Sequence, residues 1–385
     1  MKRLAVLFLT TCVVLAGGCG RRADLPPDLR PIVVTGIYGL GFEVRGHEFW
    51  MVEPYSGLWL VDPYSGRLSR LVETPGVLDI WGPRWSPKGE RISFLKDQKL
   101  CVLDMATKET KIIGDRASHN AWYDNDHILW VQTSEERDPD GYFSSRYRLM
   151  LTDMAGNSKV LLTSNDRISH FASDAESGTI VYGTTHTTYE TPSGDPEHRS
   201  SIFIFSIEDG AEPEPSELKL ASPPVYASSW DFLLGKGAKY LLYSVIAREG
   251  EPPWRYEARR ARLAGTRVLS SSEIKIPSDS RPAWQTPDAK EMLFVTEDSD
   301  DYTVDEHRLF LMTSGKRVYL TQPLPYGMNG WGTDWSRDGS LFAYFGVRGN
   351  VDCPIPSTTI HIVDKSGKRT KELTLRQLAV YGIAW

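Results

Sequence analysis

One turn signature recurs along this chain, and its period limits the fold more than any other feature. Arg84-Trp85-Ser86-Pro87-Lys88-Gly89, Ala283-Trp284-Gln285-Thr286-Pro287-Asp288 and Asp334-Trp335-Ser336-Arg337-Asp338-Gly339 are its strongest copies. Ala121-Trp122-Tyr123-Asp124, His170-Phe171-Ala172-Ser173-Asp174 and Ser229-Trp230-Asp231 are weaker relatives, and the chain stops on Ala384-Trp385. With Trp85, Trp122, Phe171, Trp230, Trp284, Trp335 and Trp385 as key positions, the units recur roughly every fifty residues, a period of arrays and propellers. An apolar run follows each turn, as in Ile92-Ser93-Phe94, Ile128-Leu129-Trp130, Ile180-Val181-Tyr182 and Leu241-Leu242-Tyr243. A second run then closes on a turn, as in Leu100-Cys101-Val102-Leu103-Asp104 and Ile360-His361-Ile362-Val363-Asp364. A short final strand such as Lys159-Val160-Leu161-Leu162-Thr163 completes the unit. Four short strands punctuated by Gly, Pro, Asp and Ser predict one propeller blade. The runs are almost continuously apolar because a blade is covered on both faces. In Ser86-Pro87-Lys88-Gly89, Pro suits the second and Gly the fourth position of a type I turn.

The expected fold is therefore all-β: a seven-bladed propeller of four-stranded antiparallel blades over residues 32–385. Val380-Tyr381-Gly382-Ile383-Ala384-Trp385 reads as an innermost strand whose outer partners lie at the start of the chain, at Glu48–Val52, Leu58–Asp62 and Leu68–Val72. One blade would then be shared between the two ends, removing free edges. The docking place of Ile32–Val34 stays open. The units resemble the TolB-type propeller repeat, which reads Trp-Ser-Pro-Asp-Gly, an apolar strand, apolar-Asp, then Gly. The resemblance spans about residues 47 to 385. It is strongest around Trp85 and Trp335. TolB's own six blades and extra N-terminal domain have no counterpart in this repeat count, so the resemblance implies the repeat family and its fold.

The first residues carry an address. Lys2 and Arg3 precede an apolar stretch from Leu4 to Ala16, too short to span a bilayer. It ends Leu15-Ala16-Gly17-Gly18-Cys19, which resembles the lipobox of bacterial lipoproteins. That resemblance implies a signal peptide over 1–18, acylation of Cys19 and stable anchoring by several acyl chains. An ordinary secretory signal with an incidental Cys is the alternative. Residues 19–31, with Pro26, Pro27 and Pro31, read as lipidated Cys and short tether. The expected location is the bacterial cell envelope, facing periplasm or exterior. Cys101 and Cys353 would be the two thiols left, free to pair in an oxidising compartment.

Composition narrows the function. A net charge of −6 argues against nucleic acid as a partner. No G-x-S-x-G, Walker A run or C-x-x-C is present, and His47-Glu48 lacks the second His of a zincin motif. No catalytic residue, cofactor or metal is expected. The loops that enter the innermost strands should gather at one mouth of the channel. They bring Trp81, His119, Asn120, His170, Tyr226, Arg281, Trp331 and Tyr381, the candidate ligand-binding set. Arg167 belongs to the same loops. Solvated side chains satisfying their own turns are the plainer reading. A resemblance to seven-bladed oligogalacturonate lyases, which hold a metal by His and Gln, would imply His119, His170 and His127 as ligands, though no spacing supports them. The acidic loop Glu297–Glu306 and Asp138-Pro139-Asp140-Gly141 read as solvated turns first. Trp254, Arg255 and Tyr256 follow Pro252-Pro253 and have the composition of an interface hot spot. The expected molecule is a lipid-anchored monomer, a scaffold for an envelope protein or an extracellular ligand. A carbohydrate-active lyase or hydrolase is the alternative.

Overall fold

The computed structural model describes residues 25–26, 28–38, 42–45, 48–51, 55–75, 80–137, 143–188, 197–207, 215–217, 232–247, 255–277, 280–285, 291–296, 308–313, 315–321, 333–348, 357–376 and 378–385. These form seven four-stranded antiparallel sheets and one two-stranded hairpin. Each sheet is a blade. Blade 2 runs from its inner strand Ile80–Trp85 through Arg91–Lys96 and Lys99–Asp104 to the outer Thr110–Gly114. Blades 3 to 7 repeat the order, with inner strands Ala117–Trp122, Arg167–Asp174, Phe232–Leu234, Ser280–Gln285 and Thr333–Trp335. Blade 1 takes its inner strand, Leu378–Ala384, from the end of the chain. Its other strands are Ile32–Tyr38, Tyr55–Val61 and Leu68–Pro75.

The terminal pairing is thus as expected, but its second strand is not. Ile32–Tyr38, whose place the sequence leaves open, pairs with Leu378–Ala384, with Val33 opposite Ala384. Glu48–Met51 pairs instead with Phe42–Arg45 in the separate hairpin. Both segments are apolar enough to be strands. Ile32, Val33 and Val34 are fully buried.

The core lies between blades. Buried residues fall into seven clusters, one for each pair of neighbouring blades, including blade 7 against blade 1. The strand Lys99–Asp104 shows how a continuous apolar run serves this. Cys101 and Leu103 pack towards blade 1 while Leu100 and Val102 pack towards blade 3, because successive strand residues face opposite sides.

The turns behave as their residues demand. Gly89 N–H donates to Ser86 O at 2.8 Å, and Ser86 Oγ accepts from Arg91 N–H at 3.1 Å. Gly89 has φ +76°, open to Gly at little cost. In blades 1, 2, 3 and 7 the turn between third and outer strands hangs on an Asp. Asp62 accepts from Tyr64 N–H at 2.7 Å, Asp104 from Ala106 N–H at 2.9 Å, and Asp364 from Ser366 N–H at 2.9 Å.

Three key positions, Phe171, Trp230 and Trp284, are out of register with the sequence reading; in blade 6 it is Gln285 that pairs with Met292. Trp85 pairs with Ile92 and Trp122 with Ile128. The equivalent pairs are Ser173 with Ile180 and Leu234 with Leu241. Phe171 lies two residues before the true position and pairs with Tyr182. Trp230 lies outside the described residues, as do the acidic loop, His47 and Cys353. Cys101 is buried and free, and burial pushes its thiol up to about 11.

Candidate functional site

A bulge near the start of each of two inner strands sets the site. In blade 3 it falls between Ala117 and His119, and in blade 4 between Ile168 and His170. Ser118 and Ser169 sit in these bulges, each hydroxyl donating to the neighbouring strand at 3.5 Å, to Val131 O and Gly183 O respectively. The extra residue turns the following side chain. His119 then pairs with Val131 and His170 with Gly183. Counted from the Trp85 and Trp122 pairs, these are the same rung as Trp81 opposite Leu95 and Arg281 opposite Val295.

Three of these side chains meet. The Trp81 and His119 rings lie edge to face, with centroids 6.3 Å apart, and the His119 and His170 rings are 6.2 Å apart. Both imidazoles are half-buried. Burial, then the charges of His170, Arg167 and Arg84, lower His119 to about 4. Burial and Arg167 lower His170 to about 4. At neutral pH both rings are therefore uncharged, each offering one donor and one acceptor. Arg84 and Arg167 are exposed near them. Further along the channel, Asp334 accepts from Trp335 N–H at 2.8 Å and Trp385 N–H at 2.9 Å. Burial raises its carboxyl, while Arg84 and those two N–H groups pull it down.

The other expected residues have different placements. Asn120 donates to Gly82 O at 3.1 Å and accepts from Ser93 Oγ at 2.7 Å, tying blade 3 to blade 2. Tyr381 donates its hydroxyl to Ile80 O at 2.6 Å, joining the inner strands of blades 1 and 2. Arg281, Arg255 and Tyr256 are described as backbone in strands Ser280–Gln285 and Arg255–Ala264. Cys19, Tyr226, Trp254 and Trp331 lie outside the described residues. His127 does not join His119 and His170. It stands at the opposite end of its blade, with Nδ1 3.0 Å from both carboxylate oxygens of Asp124. Among the described residues, no three His, Cys, Asp or Glu side chains are grouped to hold a metal.

The sequence reading leaves Arg84 and Asp334 out of the site. A signal for them is there: each precedes a key Trp. Trp85 and Trp335 pack towards the preceding blade, so Arg84 and Asp334 are on the other face of their inner strands.

No protein-family model matches the sequence, and no curated protein matches it. Among solved structures, the β-propeller domain of the trilobed protease from Pyrococcus furiosus is similar at a TM-score of 0.51 and 13% identity, over 88% of this chain and 97% of that one. A puromycin-hydrolyzing peptidase of Mycobacterium tuberculosis is similar at a TM-score of 0.50 and 15% identity, over 93% of this chain and 54% of the peptidase. TolB from Acinetobacter baumannii is similar at a TM-score of 0.46 and 14% identity, over 92% of this chain and 82% of that one. At these identities the likeness is one of fold: this chain is a seven-bladed β-propeller similar to TolB-type and protease propellers.

Proposed function

We propose that the protein is a lipoprotein of the bacterial envelope, anchored through Cys19, whose propeller is a binding scaffold. Its partner, an envelope protein or an extracellular ligand, enters at the channel mouth and meets Trp81, His119, His170, Arg84 and Arg167. The observation that supports this reading is the convergence of an indole, two uncharged imidazoles and the Arg167 guanidinium where the inner strands begin, with Arg84 deeper in the channel. Such a mixed aromatic and polar rim suits recognition. Imidazoles held near pKa 4 are weak general bases at neutral pH. That weighs against the second reading, a carbohydrate-active lyase or hydrolase, whose support is the Trp81 face beside two imidazoles.

A thermal-shift screen of the chain from Ala23 onward tests the scaffold. The panel is acidic and neutral glycans, envelope-derived peptides and divalent metals. A ligand at a hundred times its dissociation constant adds about 2.7 kcal/mol. Stabilisation lost in both His119→Ala and Arg167→Ala supports the mouth. Stabilisation that survives both refutes it, and cleavage of a glycan would move the assignment to the enzyme. The anchor is tested separately: the mature N-terminus should carry acyl mass at Cys19, and Cys19→Ser should abolish it.

A further inference from the structure

The segment before the first strand is seated on the propeller. Tyr64 accepts from Leu29 N–H at 2.9 Å and donates its hydroxyl to Pro26 O. Arg30 donates to Pro87 O at 3.0 Å and Ser86 O at 3.4 Å, while its own carbonyl accepts from Trp385 Nε1 at 2.9 Å. Leu25 and Leu29 pack against the cluster that joins blades 7 and 1. These residues strap blades 7, 1 and 2 together.

All these contacts lie on one face. The turn Ser86–Gly89 follows the end of an inner strand, and Trp385 ends another. Tyr64 is in the turn after Tyr55–Val61, which runs parallel to the inner strand of its blade. The strap therefore sits where inner strands end. Trp81, His119 and His170 lie near where inner strands begin, at the opposite face. The strand ends joined by the chain between Tyr38 and Tyr55, Thr188 and Glu197, Ala247 and Arg255, Thr296 and Leu309, and Arg348 and Ser357 are also at that opposite face.

Only Gly20–Asp24 separate Cys19 from Leu25. Covalent geometry limits that span to about 20 Å. A strand of six or seven residues is itself about 20 Å deep. The span is too short to leave the strap, round the rim and clear the mouth. We infer that the strap face is turned to the lipid bilayer and that the channel mouth is presented away from it, to a water-soluble partner. This inference rests on the lipoprotein reading above.

The two ends of the blade 2 outer strand provide the test. Glu109 lies at the strap-side end and Asp115 at the mouth-side end, and both are exposed. Full-length Glu109→Cys and Asp115→Cys proteins, each with Cys353→Ser, are purified from a lipoprotein-processing bacterium. They are labelled with a fluorophore and reconstituted into phosphatidylethanolamine–phosphatidylglycerol vesicles carrying a headgroup quencher. Quenching should be at least about twofold stronger at 109 than at 115, given the ~20 Å between them. Equal or reversed quenching overturns the orientation. Arg30→Ala with Tyr64→Phe should narrow the difference, and an unchanged difference removes the strap as its cause. Mass spectrometry precedes the quenching. A mature chain without acyl groups would defeat the anchor reading itself, and is distinguished there from a wrong orientation.

Discussion

The two channel imidazoles should make the protein lose stability between pH 7 and pH 5, in a window where few carboxylates titrate. His119 and His170 are each held at about 4, against an ordinary value of 6.5. Their folded values lie below their unfolded ones, so the unfolded chain takes up protons first as the pH falls. Stability is present above pH 6.5 and drains away until about pH 4, where the native rings protonate as well. Over the interval from pH 7 to pH 5 the linkage is about 2 kcal/mol for each imidazole. Channel water screens the rings, so the pair together should contribute about 2 to 4 kcal/mol. Urea unfolding at both pH values, for wild type and for His119→Asn with His170→Asn, measures it. The double variant should lose less stability than wild type by that amount, with other groups cancelling in the difference. The single variant His170→Asn should also raise the His119 pKa seen by NMR, since the His170 charge is the second cause of its depression. Wild type and double variant falling in parallel, or ring pKa values near the ordinary one, would refute the reasoning.

Loss of the strap should cost stability as well as orientation: Tyr64→Phe removes two hydrogen bonds and should lower unfolding free energy by about 1 to 2 kcal/mol in calorimetry. Trp385→Ala should cost about 3 to 5 kcal/mol, because the indole is buried between blades 7 and 1 and binds Arg30 O. A loss below about 1 kcal/mol would mean that the terminal closure matters little. Gly367→Ala should destabilise by about 2 kcal/mol or more, as Gly367 has φ +77° and an added Cβ would collide with the Tyr319 carbonyl oxygen of blade 6. Cys101, buried with its thiol at about 11, should resist alkylation in a Cys353→Ser background until the chain unfolds.

What the sequence reveals depends on how local the cause is. The turn at Ser86–Gly89 and the Asp at the third-strand ends of blades 2, 3 and 7 write their own residues, so those blades are legible. Blade 4 misleads because Ser173 stands where blades 2, 3 and 7 have Trp, while Phe171, two residues earlier, offers a false aromatic landmark. Both lie on the same strand face, so the alternation of apolar residues carries no warning. The second strand of blade 1 is hidden for a different reason. Ile32–Tyr38 and Glu48–Met51 are both plausible strands, and the choice is made by a partner at the far end of the chain. In the site, Trp81, His119 and His170 are legible as a set because bulge and rung repeat from blade to blade. Asn120 and Tyr381 group with them by position, yet their polar atoms are engaged in joining neighbouring inner strands. Side-chain direction after a bulge is not written in spacing.

The two faces of the ring differ in how their connections are held. On the strap face, turns of blades 2 and 3 are short and fixed by their own side chains: Ser86, Asp104 and Asp153 each satisfy the N–H groups that follow them. The N–H groups of Thr107 and Ala106 hold the Asp104 carboxyl below the usual carboxylate range, and Asn157 does the same for Asp153. Such turns leave little to vary, and the strap covers part of them. On the mouth face the connections between second and third strands differ in length, from the tight turn between Lys96 and Lys99 to the stretch between Tyr38 and Tyr55. That asymmetry is what a scaffold needs, because a binding surface must vary while the closure beneath it does not. The terminal strand pairing closes the ring through backbone, and the strap closes the same seam through Arg30, Tyr64 and Trp385. A pull on the N-terminus would therefore be received by blades 7, 1 and 2 together and not by one edge strand. If Cys19 carries the lipid, the seam that closes the propeller is also the place where it is tethered.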